Sequence, residues 1–128
     1  IHGHDTGDRV LQMVARTLAE GAGEDCQVVR YGGEEFTLIL PDTTLEQGII
    51  FANRLRVIIE NTPVQTLSMQ LEIGASFGVD VYARGDQISE KEFVEKVDGF
   101  LYLAKQEGRN QVCHEKPEKM KDGALSRI

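Results

Sequence analysis

The segment from Arg30 to Phe36 reads Arg-Tyr-Gly-Gly-Glu-Glu-Phe, and it lies between two runs that have β-strand character. A short apolar run precedes it, and apolar residues recur at every second position after it, from Phe36 to Leu40. Glycine reaches the positive φ angles that a tight turn requires. Gly32 and Gly33 therefore predict the turn of a β-hairpin.

Two adjacent acids, Glu34 and Glu35, follow these glycines at the tip of the predicted hairpin. Carboxylate oxygens are ligands that hard divalent cations prefer, and glycine lets a ligand come close to the bare backbone. A solvated turn with two surface acids is the alternative interpretation. The four residues alone do not decide between the two.

Three further motifs change that balance. Gly3–Asp8 reads Gly-His-Asp-Thr-Gly-Asp, Ser76–Val79 reads Ser-Phe-Gly-Val, and Asp98–Asn110 ends in Gly-Arg-Asn. Together with Arg30–Phe36, these motifs resemble in order and spacing those of the GGDEF domains, the diguanylate cyclases, in the GGEEF variant. The resemblance covers nearly the whole chain.

Hydrophobic periodicity predicts three helices. The first helix begins at Asp8 and ends near Gly21. A loop precedes it, and Asp5 or Thr6 in that loop is expected to cap the helix. The second begins after Thr43 or Thr44 and runs to about residue 61, and the third begins at Ser89, where Glu92 completes a capping box. Strands are expected at 26–31, 36–40, 71–81 and 111–114.

This order of elements predicts an α+β domain with helices packed on a mostly antiparallel sheet. The resemblance implies the ferredoxin-like palm of nucleotide cyclases and polymerases, whose first central strand would precede Ile1. We therefore expect a GGDEF domain over residues 1–114 that lacks this strand. The Lys/Glu-rich residues 115–128 predict a disordered tail.

The resemblance also implies an activity. In the family, two GTP molecules, one held by each of two facing domains, condense to cyclic di-GMP and two pyrophosphates with the help of Mg²⁺ or Mn²⁺. Glu34 matches the metal ligand and possible base toward the 3′-hydroxyl, and Glu35 matches the second acidic position. Gly32 and Gly33 match the turn that lies against the nucleotide.

Three other residues match positions that bind the substrate. The resemblance assigns Asp8 to recognition of guanine, whereas the residues alone also allow a helix-capping role. Lys105 and Arg109 match the cations that hold the β- and γ-phosphates, and their i, i+4 spacing predicts one helix face. The alternative is two solvated cations placed favourably for the helix dipole. We interpret His4 as a loop-structuring residue.

The chain departs from the family pattern in two places. The Asp-x-Asp-x-Phe-Lys segment, with the family's main metal-binding Asp, would lie upstream of Ile1, so we expect the isolated fragment to be inactive. The Arg-x-x-Asp positions of the family's product-binding site hold Gly23 and Cys26, which predicts that this site is not retained. Arg54 matches a secondary arginine of the same site.

Charge and composition exclude several classes of partner. The formal net charge of −7 argues against nucleic acid and anionic membranes, which favour a basic surface. Cys26 and Cys113 do not form a disulfide framework, which favours a reduced cytoplasmic setting. The domain is expected to be cytoplasmic, either alone or within a larger membrane-anchored protein.

Two hypotheses for function follow. The first is an active diguanylate cyclase in bacterial second-messenger signalling, a homodimer driven together by an upstream sensory or receiver domain. The second is a degenerate domain that acts as a non-catalytic GTP-binding or interaction module. Intact acids and cations in the motifs favour the first.

Overall fold

A computed structural model describes residues 2–32, 35–65, 70–83 and 85–114, with the side chains of 2–6 and of 31–32 excepted. The helices are α1 (His2–Ala22), α2 (Leu45–Glu60) and α3 (Glu90–Gln106). The strands are β1 (Gln27–Gly32), β2 (Glu35–Ile39), β3 (Val64–Gln65), β4 (Gln70–Leu71), β5 (Phe77–Val79) and β6 (Val112–His114). The predicted α+β class is confirmed. The predicted tail, 115–128, lies outside the described residues.

The chain divides into two compact units. The first unit comprises Ile1–Asp42 and Val57–Ile73, and the second comprises Thr43–Arg56 and Gly74–Ile128. The boundary between them passes through α2. Each unit is therefore assembled from segments that are distant in sequence.

In the first unit, α1 packs against β1 and β3, and β1 pairs with β2. Leu18, Ile59 and Val64 form its buried apolar core. The guanidinium of Arg9 also joins α1 to β3, because its Nη1 donates to the carbonyl oxygen of Gln65 at 3.4 Å. Burial of the apolar side chains supplies most of the stabilisation here, since each is worth about 1.5–3 kcal/mol.

Helix α1 begins earlier than the sequence predicts. It starts at His2, so the loop expected before Asp8 is wrong, and Asp5 and Thr6 lie inside the helix instead of capping it. His4 likewise lies in helix and not in a loop. Glycine in a helix costs only about 1 kcal/mol, so the glycines of this segment weaken the helix without ending it.

In the second unit, β5 and β6 pair in parallel, and α3 packs on both strands. The polypeptide backbones of α3 and β5 come very close at Gly78, where a Cβ atom would lie 2.5 Å from the carbonyl oxygen of Val97. The core is formed by buried residues of α2, α3 and β6, namely Ile49, Ala52, Leu55, Ala104, Val112 and Cys113.

The strands differ from the prediction in one region. A single strand was expected over 71–81, but the structure has β4 and β5 with residues 72–76 between them, and β4 forms a short hairpin with β3. The reason is tertiary: Ser76 accepts a hydrogen bond from Asn110, and Gly74 lies against the same asparagine. Among the described strands, two pairs are antiparallel and one is parallel, in agreement with a mostly antiparallel arrangement.

The predicted caps of α2 and α3 are confirmed. The backbone N–H of Gln47 donates to Thr44 Oγ1 at 3.1 Å, while Gln47 Oε1 accepts from the N–H of Thr44 at 3.0 Å. Ser89 and Glu92 make the same reciprocal pair of bonds at the start of α3. Such capping boxes satisfy N–H groups that the helix itself leaves unpaired. Within the described residues, no helix has an apolar stretch of membrane-spanning length.

Candidate functional site

The predicted hairpin is present. Strands β1 and β2 pair antiparallel, with Arg30 opposite Phe36 and Gly32 opposite Glu35. Tyr31 therefore has no opposite residue, and the register shifts at this point, as at a β-bulge. Bulges bend a strand locally and recur beside functional sites.

The hairpin tip carries the predicted metal and catalytic position. Gly32 is the last residue of β1, and Glu35 is the half-buried first residue of β2. Gly33 and Glu34 connect the two strands and lie outside the described residues. Gly32 pairs with Glu35 within the ladder, so it belongs to β1.

Asp8 lies exposed inside α1, six residues after the helix begins at His2. The N–H groups that need a cap are those of the first turn. Its carboxylate is therefore not a helix cap, and that alternative interpretation is wrong. A solvent-facing carboxylate on a helix is available to accept hydrogen bonds from a ligand.

The C-terminal end of α3 carries the two predicted cations. Lys105 is half-buried in the last turn, whereas Arg109 is exposed and lies three residues after the helix ends at Gln106. The prediction that both share one helix face is wrong, because Gly108 and Arg109 have positive φ angles of 116° and 63°. The chain thus leaves the helix between the two cations.

A Schellman-type ending closes α3. The N–H of Glu107 donates to the carbonyl oxygen of Leu103, and the N–H of Arg109 donates to that of Ala104, both at 2.9 Å. The side-chain amide of Gln111 donates to the carbonyl oxygens of Ala104 at 3.2 Å and Glu107 at 2.8 Å. These carbonyl groups therefore have partners that do not come from the cationic side chains.

Asn110 follows Arg109 and is held by Ser76, the first residue of the Ser-Phe-Gly-Val motif, and by Arg56, which no sequence motif includes. Its N–H donates to Ser76 Oγ at 3.1 Å, and Arg56 Nη1 donates to its carbonyl oxygen at 3.5 Å and to its Oδ1 at 3.4 Å. Asn110 also has a positive φ, 49°. The sequence signals for this turn are Gly108 and Asn110, since glycine and asparagine tolerate positive φ angles better than other residues.

The positions of the family's product-binding site differ in chemistry from an Arg-x-x-Asp pair. Gly23 has a φ of 78° in the turn after α1. Partial burial raises the pKa of the Cys26 thiol, an effect that a hydrogen bond with the backbone of Ile39 partly offsets. Cys26 is thus a neutral group where a carboxylate would be needed. Arg54 is exposed on α2.

A charge pair with a buried carboxylate and an exposed lysine lies in the second unit, outside the predicted site. Asp80 follows β5, its side chain is 2% exposed, and its Oδ2 is 3.1 Å from Nζ of Lys96 on α3. Its Oδ1 accepts from the N–H of Val81 at 2.9 Å. This pair fixes the end of β5 to α3.

Among the described residues, no three His, Cys, Asp or Glu side chains converge as a metal site. The hairpin tip nevertheless offers oxygen donors of the type that Mg²⁺ and Mn²⁺ prefer, with the Glu35 carboxylate at the start of β2. Residues 33 and 34 lie outside this description. The donor type at the tip therefore fits a hard divalent cation.

Comparison with known proteins identifies related chains. A family model described as "Diguanylate cyclase, GGDEF domain" matches residues 1–111. Diguanylate cyclase DgcM of Escherichia coli strain K12 is 38% identical over 112 residues, which cover 88% of this chain and 26% of that protein. This chain thus spans about a quarter of that relative's length.

Solved structures with a similar fold include diguanylate cyclase SiaD of Pseudomonas aeruginosa in complex with its activator SiaC. Its TM-score is 0.81 at 34% identity, and the match covers 88% of this chain and 43% of that one. The active GGEEF domain of a diguanylate cyclase from Vibrio cholerae gives 0.76 at 28% identity, covering 90% of this chain and 72% of that one.

Proposed function

This chain belongs to the GGDEF domain family, and from that membership we propose that it is the catalytic domain of a diguanylate cyclase. The reaction is the condensation of two GTP molecules to cyclic di-GMP and two pyrophosphates. The observation that carries the proposal is the β1–β2 hairpin, whose register brings Gly32 opposite Glu35. In this proposal that end of the hairpin is the reaction centre, as the resemblance of the motif implies.

In this proposal three acidic residues have separate roles. Asp8 accepts hydrogen bonds from the ring N–H and the exocyclic amine of guanine, donors that adenine does not present in the same arrangement. Glu34 and Glu35 hold Mg²⁺ or Mn²⁺, and Glu34 takes part in deprotonation of the 3′-hydroxyl. When bound, the cation neutralises phosphate charge and favours the ionised form of that hydroxyl.

Two cations at the end of α3 bind the phosphates in this proposal. Lys105 and Arg109 hold the β- and γ-phosphates. Their positive charges stabilise the negative charge of the leaving pyrophosphate. The competing explanation was favourable placement near the helix dipole. That explanation suits Lys105, which lies in the last turn of α3, but it has less support for Arg109, which lies three residues beyond the end of the helix.

Each domain holds one GTP, and each 3′-hydroxyl attacks the α-phosphorus of the other nucleotide, so catalysis requires a homodimer. Phosphoryl transfer of this kind depends mainly on positioning and charge neutralisation, which fits a site of carboxylates and cations without a covalent nucleophile. We further propose cytoplasmic placement and an upstream sensory or receiver domain that controls dimerisation. The domain itself binds neither nucleic acid nor membrane.

The test is product formation by the full-length protein. With GTP and Mg²⁺ we expect cyclic di-GMP by chromatography, with a rate that rises more steeply than linearly with protein concentration. Glu34→Ala and removal of Mg²⁺ by a chelator should abolish the product. Glu20→Ala, which removes an exposed acid of α1, serves as the control and should retain it.

The same assay distinguishes the cyclase from the alternative function, a non-catalytic GTP-binding or interaction module. GTP binding without product in the wild-type protein would favour the non-catalytic module. Product formation that survives Glu34→Ala would contradict the assignment of the hairpin tip. Absence of GTP binding in the wild-type protein would contradict both functions.

A further inference from the structure

Three consecutive residues after α3 have positive φ angles: Gly108 (116°), Arg109 (63°) and Asn110 (49°). Glycine adopts such angles readily, whereas a long L side chain such as arginine rarely does. The backbone at Arg109 is therefore held in a conformation that its own preferences disfavour. Contacts with surrounding residues must therefore stabilise this backbone conformation.

The contacts after Arg109 come from two distant segments. Ser76 Oγ, 34 residues earlier, accepts the N–H of Asn110. Arg56, 54 residues earlier on α2, donates from one guanidinium nitrogen to both the carbonyl oxygen and the side-chain oxygen of Asn110. The Arg56 side chain is itself oriented by Asn53, whose Oδ1 accepts from Arg56 Nε at 3.1 Å.

Steric contact and strand pairing complete the support. A Cβ at Gly74 would lie 3.2 Å from Cβ and Cγ of Asn110, so the asparagine side chain packs directly on that backbone. Gln111 donates to the end of α3, and its carbonyl oxygen accepts from the N–H of Phe77 at 2.9 Å. Arg109 is thus flanked by the helix end on one side and a fixed asparagine on the other.

We propose that Arg56 and Ser76 are positioning residues for substrate: they fix Asn110, and through it the left-handed turn that directs the Arg109 guanidinium toward the triphosphate. The inference rests on the proposed function, because it takes Arg109 as a phosphate-binding residue. It adds to that function two residues that hold the backbone next to Arg109. The cation is exposed, yet its backbone is constrained, which lowers the entropy lost when it binds phosphate.

A purely structural role for Arg56 predicts something different. If its bonds only stabilise the unit, its loss lowers the unfolding midpoint but leaves nucleotide affinity in the folded protein unchanged. If it positions Arg109, its loss weakens binding of the triphosphate specifically. The distinction can be measured with two ligands that share guanine and differ in phosphates.

The experiment compares dissociation constants for GTP and guanosine in the full-length protein by calorimetry, under conditions where circular dichroism shows each variant folded. Arg56→Gln should weaken GTP binding by about tenfold, the effect of losing hydrogen bonds that involve a charged group. Guanosine binding should stay within twofold, the additivity limit of such measurements. Arg16→Gln removes an exposed arginine of α1 and should match the wild type.

Two further variants make the test specific. Ser76→Ala should weaken GTP binding in the same direction, and it provides the measurement if Arg56→Gln does not fold. In an Arg109→Ala background, Arg56→Gln should cause no further loss, because the group that it positions is gone. Arg56→Lys, which keeps the charge and one donor, should recover part of the affinity.

Several results would overturn the inference while leaving the function intact. They are wild-type GTP affinity in both Arg56→Gln and Ser76→Ala, equal losses for GTP and guanosine, or full additivity with Arg109→Ala. If the wild-type protein and Arg16→Gln both fail to bind GTP, the proposed function fails and the inference with it.

Discussion

The backbone of Gly78 in β5 lies directly against the carbonyl oxygen of Val97 in α3, so close that a Cβ atom at Gly78 would sit 2.5 Å from that oxygen. Real Cβ atoms do not approach a carbonyl oxygen to this distance, and the obstructing group is helix backbone, which cannot rotate away. The contact sets the separation of α3 from the β5–β6 pair.

Gly78→Ala should therefore destabilise the protein by about 1–3 kcal/mol through overpacking. Gly99→Ala is the matched control, since Gly99 lies within α3 and nothing approaches its added Cβ within 4 Å. That substitution should stabilise the helix by about 0.5–1 kcal/mol. Urea unfolding at constant m-value measures both, and equal effects of the two alanines would contradict the packing argument.

The Asp80–Lys96 pair predicts an order of stability between two variants. Lys96→Met leaves the almost fully buried Asp80 carboxylate without its cation and should cost about 1–3 kcal/mol. Asp80→Asn keeps an oxygen for the N–H of Val81, and Lys96, with 43% of its side chain exposed, remains hydrated. It should cost less. Denaturant unfolding of both variants decides the order, and a larger loss for Asp80→Asn would refute it.

The capping box of α3 predicts a pH dependence. Hydrogen bonds from the backbone N–H and then the side chain of Ser89 lower the pKa of Glu92 below its usual 4.5. A lowered folded-state pKa means that the stabilisation is present above the unfolded pKa and is lost as pH falls through the folded value.

The measurement is the free energy of unfolding of wild type and Glu92→Gln between pH 7 and pH 3. Glutamine also completes a capping box but does not titrate. The advantage of the wild type over Glu92→Gln should therefore shrink on acidification. An advantage that grows at low pH would contradict the sign of the shift.

The product-binding positions predict weak feedback. Gly23 cannot provide an arginine fork, Cys26 has a neutral thiol, and any L side chain placed at Gly23 would be strained by its φ of 78°. We expect micromolar cyclic di-GMP to leave the initial rate of GTP turnover unchanged, in the wild type and in Arg54→Ala alike. Micromolar binding of cyclic di-GMP that Arg54→Ala abolishes would show that the site works.

The exposed carboxylate of Asp8 predicts base selectivity. Under the proposed role of Asp8 as the acceptor for guanine, Asp8→Ala should weaken GTP binding by about 1.5–3 kcal/mol, while ATP binding stays unchanged. Glu20→Ala on the same helix should alter neither. Competition binding with GTP and ATP tests this, and a parallel loss for both nucleotides would point to a general effect on α1.

The sequence predicted those structural features that depend on residues close to one another in the chain. The caps at Thr44 and Ser89 involve partners three residues away, and the hairpin was predicted from two adjacent glycines between two runs of strand character. The position of the candidate site came from motifs whose spacing resembles a known family. These are the levels at which sequence determines structure most directly.

Contacts between distant segments explain what the sequence could not predict. The residues around Arg56 in the sequence do not indicate that its side chain bonds Asn110. The strand expected over 71–81 is interrupted where Ser76 and Gly74 contact the same asparagine. The glycines before Asp8 favour a loop there, but α1 continues through them because glycine costs a helix only about 1 kcal/mol. In each case tertiary packing or helix continuation outweighed a local preference.

The parallel pairing of β5 with β6 has a consequence for the kinetics of folding. The two strands are separated by the whole of α3, so a long loop must close before Phe77 meets Val112. A capped helix forms within about a microsecond and shortens that search, whereas the turn at Asn110 is completed only when the strands meet. Substitutions at Ser89 should therefore slow refolding, and substitutions at Asn110 should mainly accelerate unfolding. The residues that set how fast the nucleotide site assembles differ from those that set how long it persists.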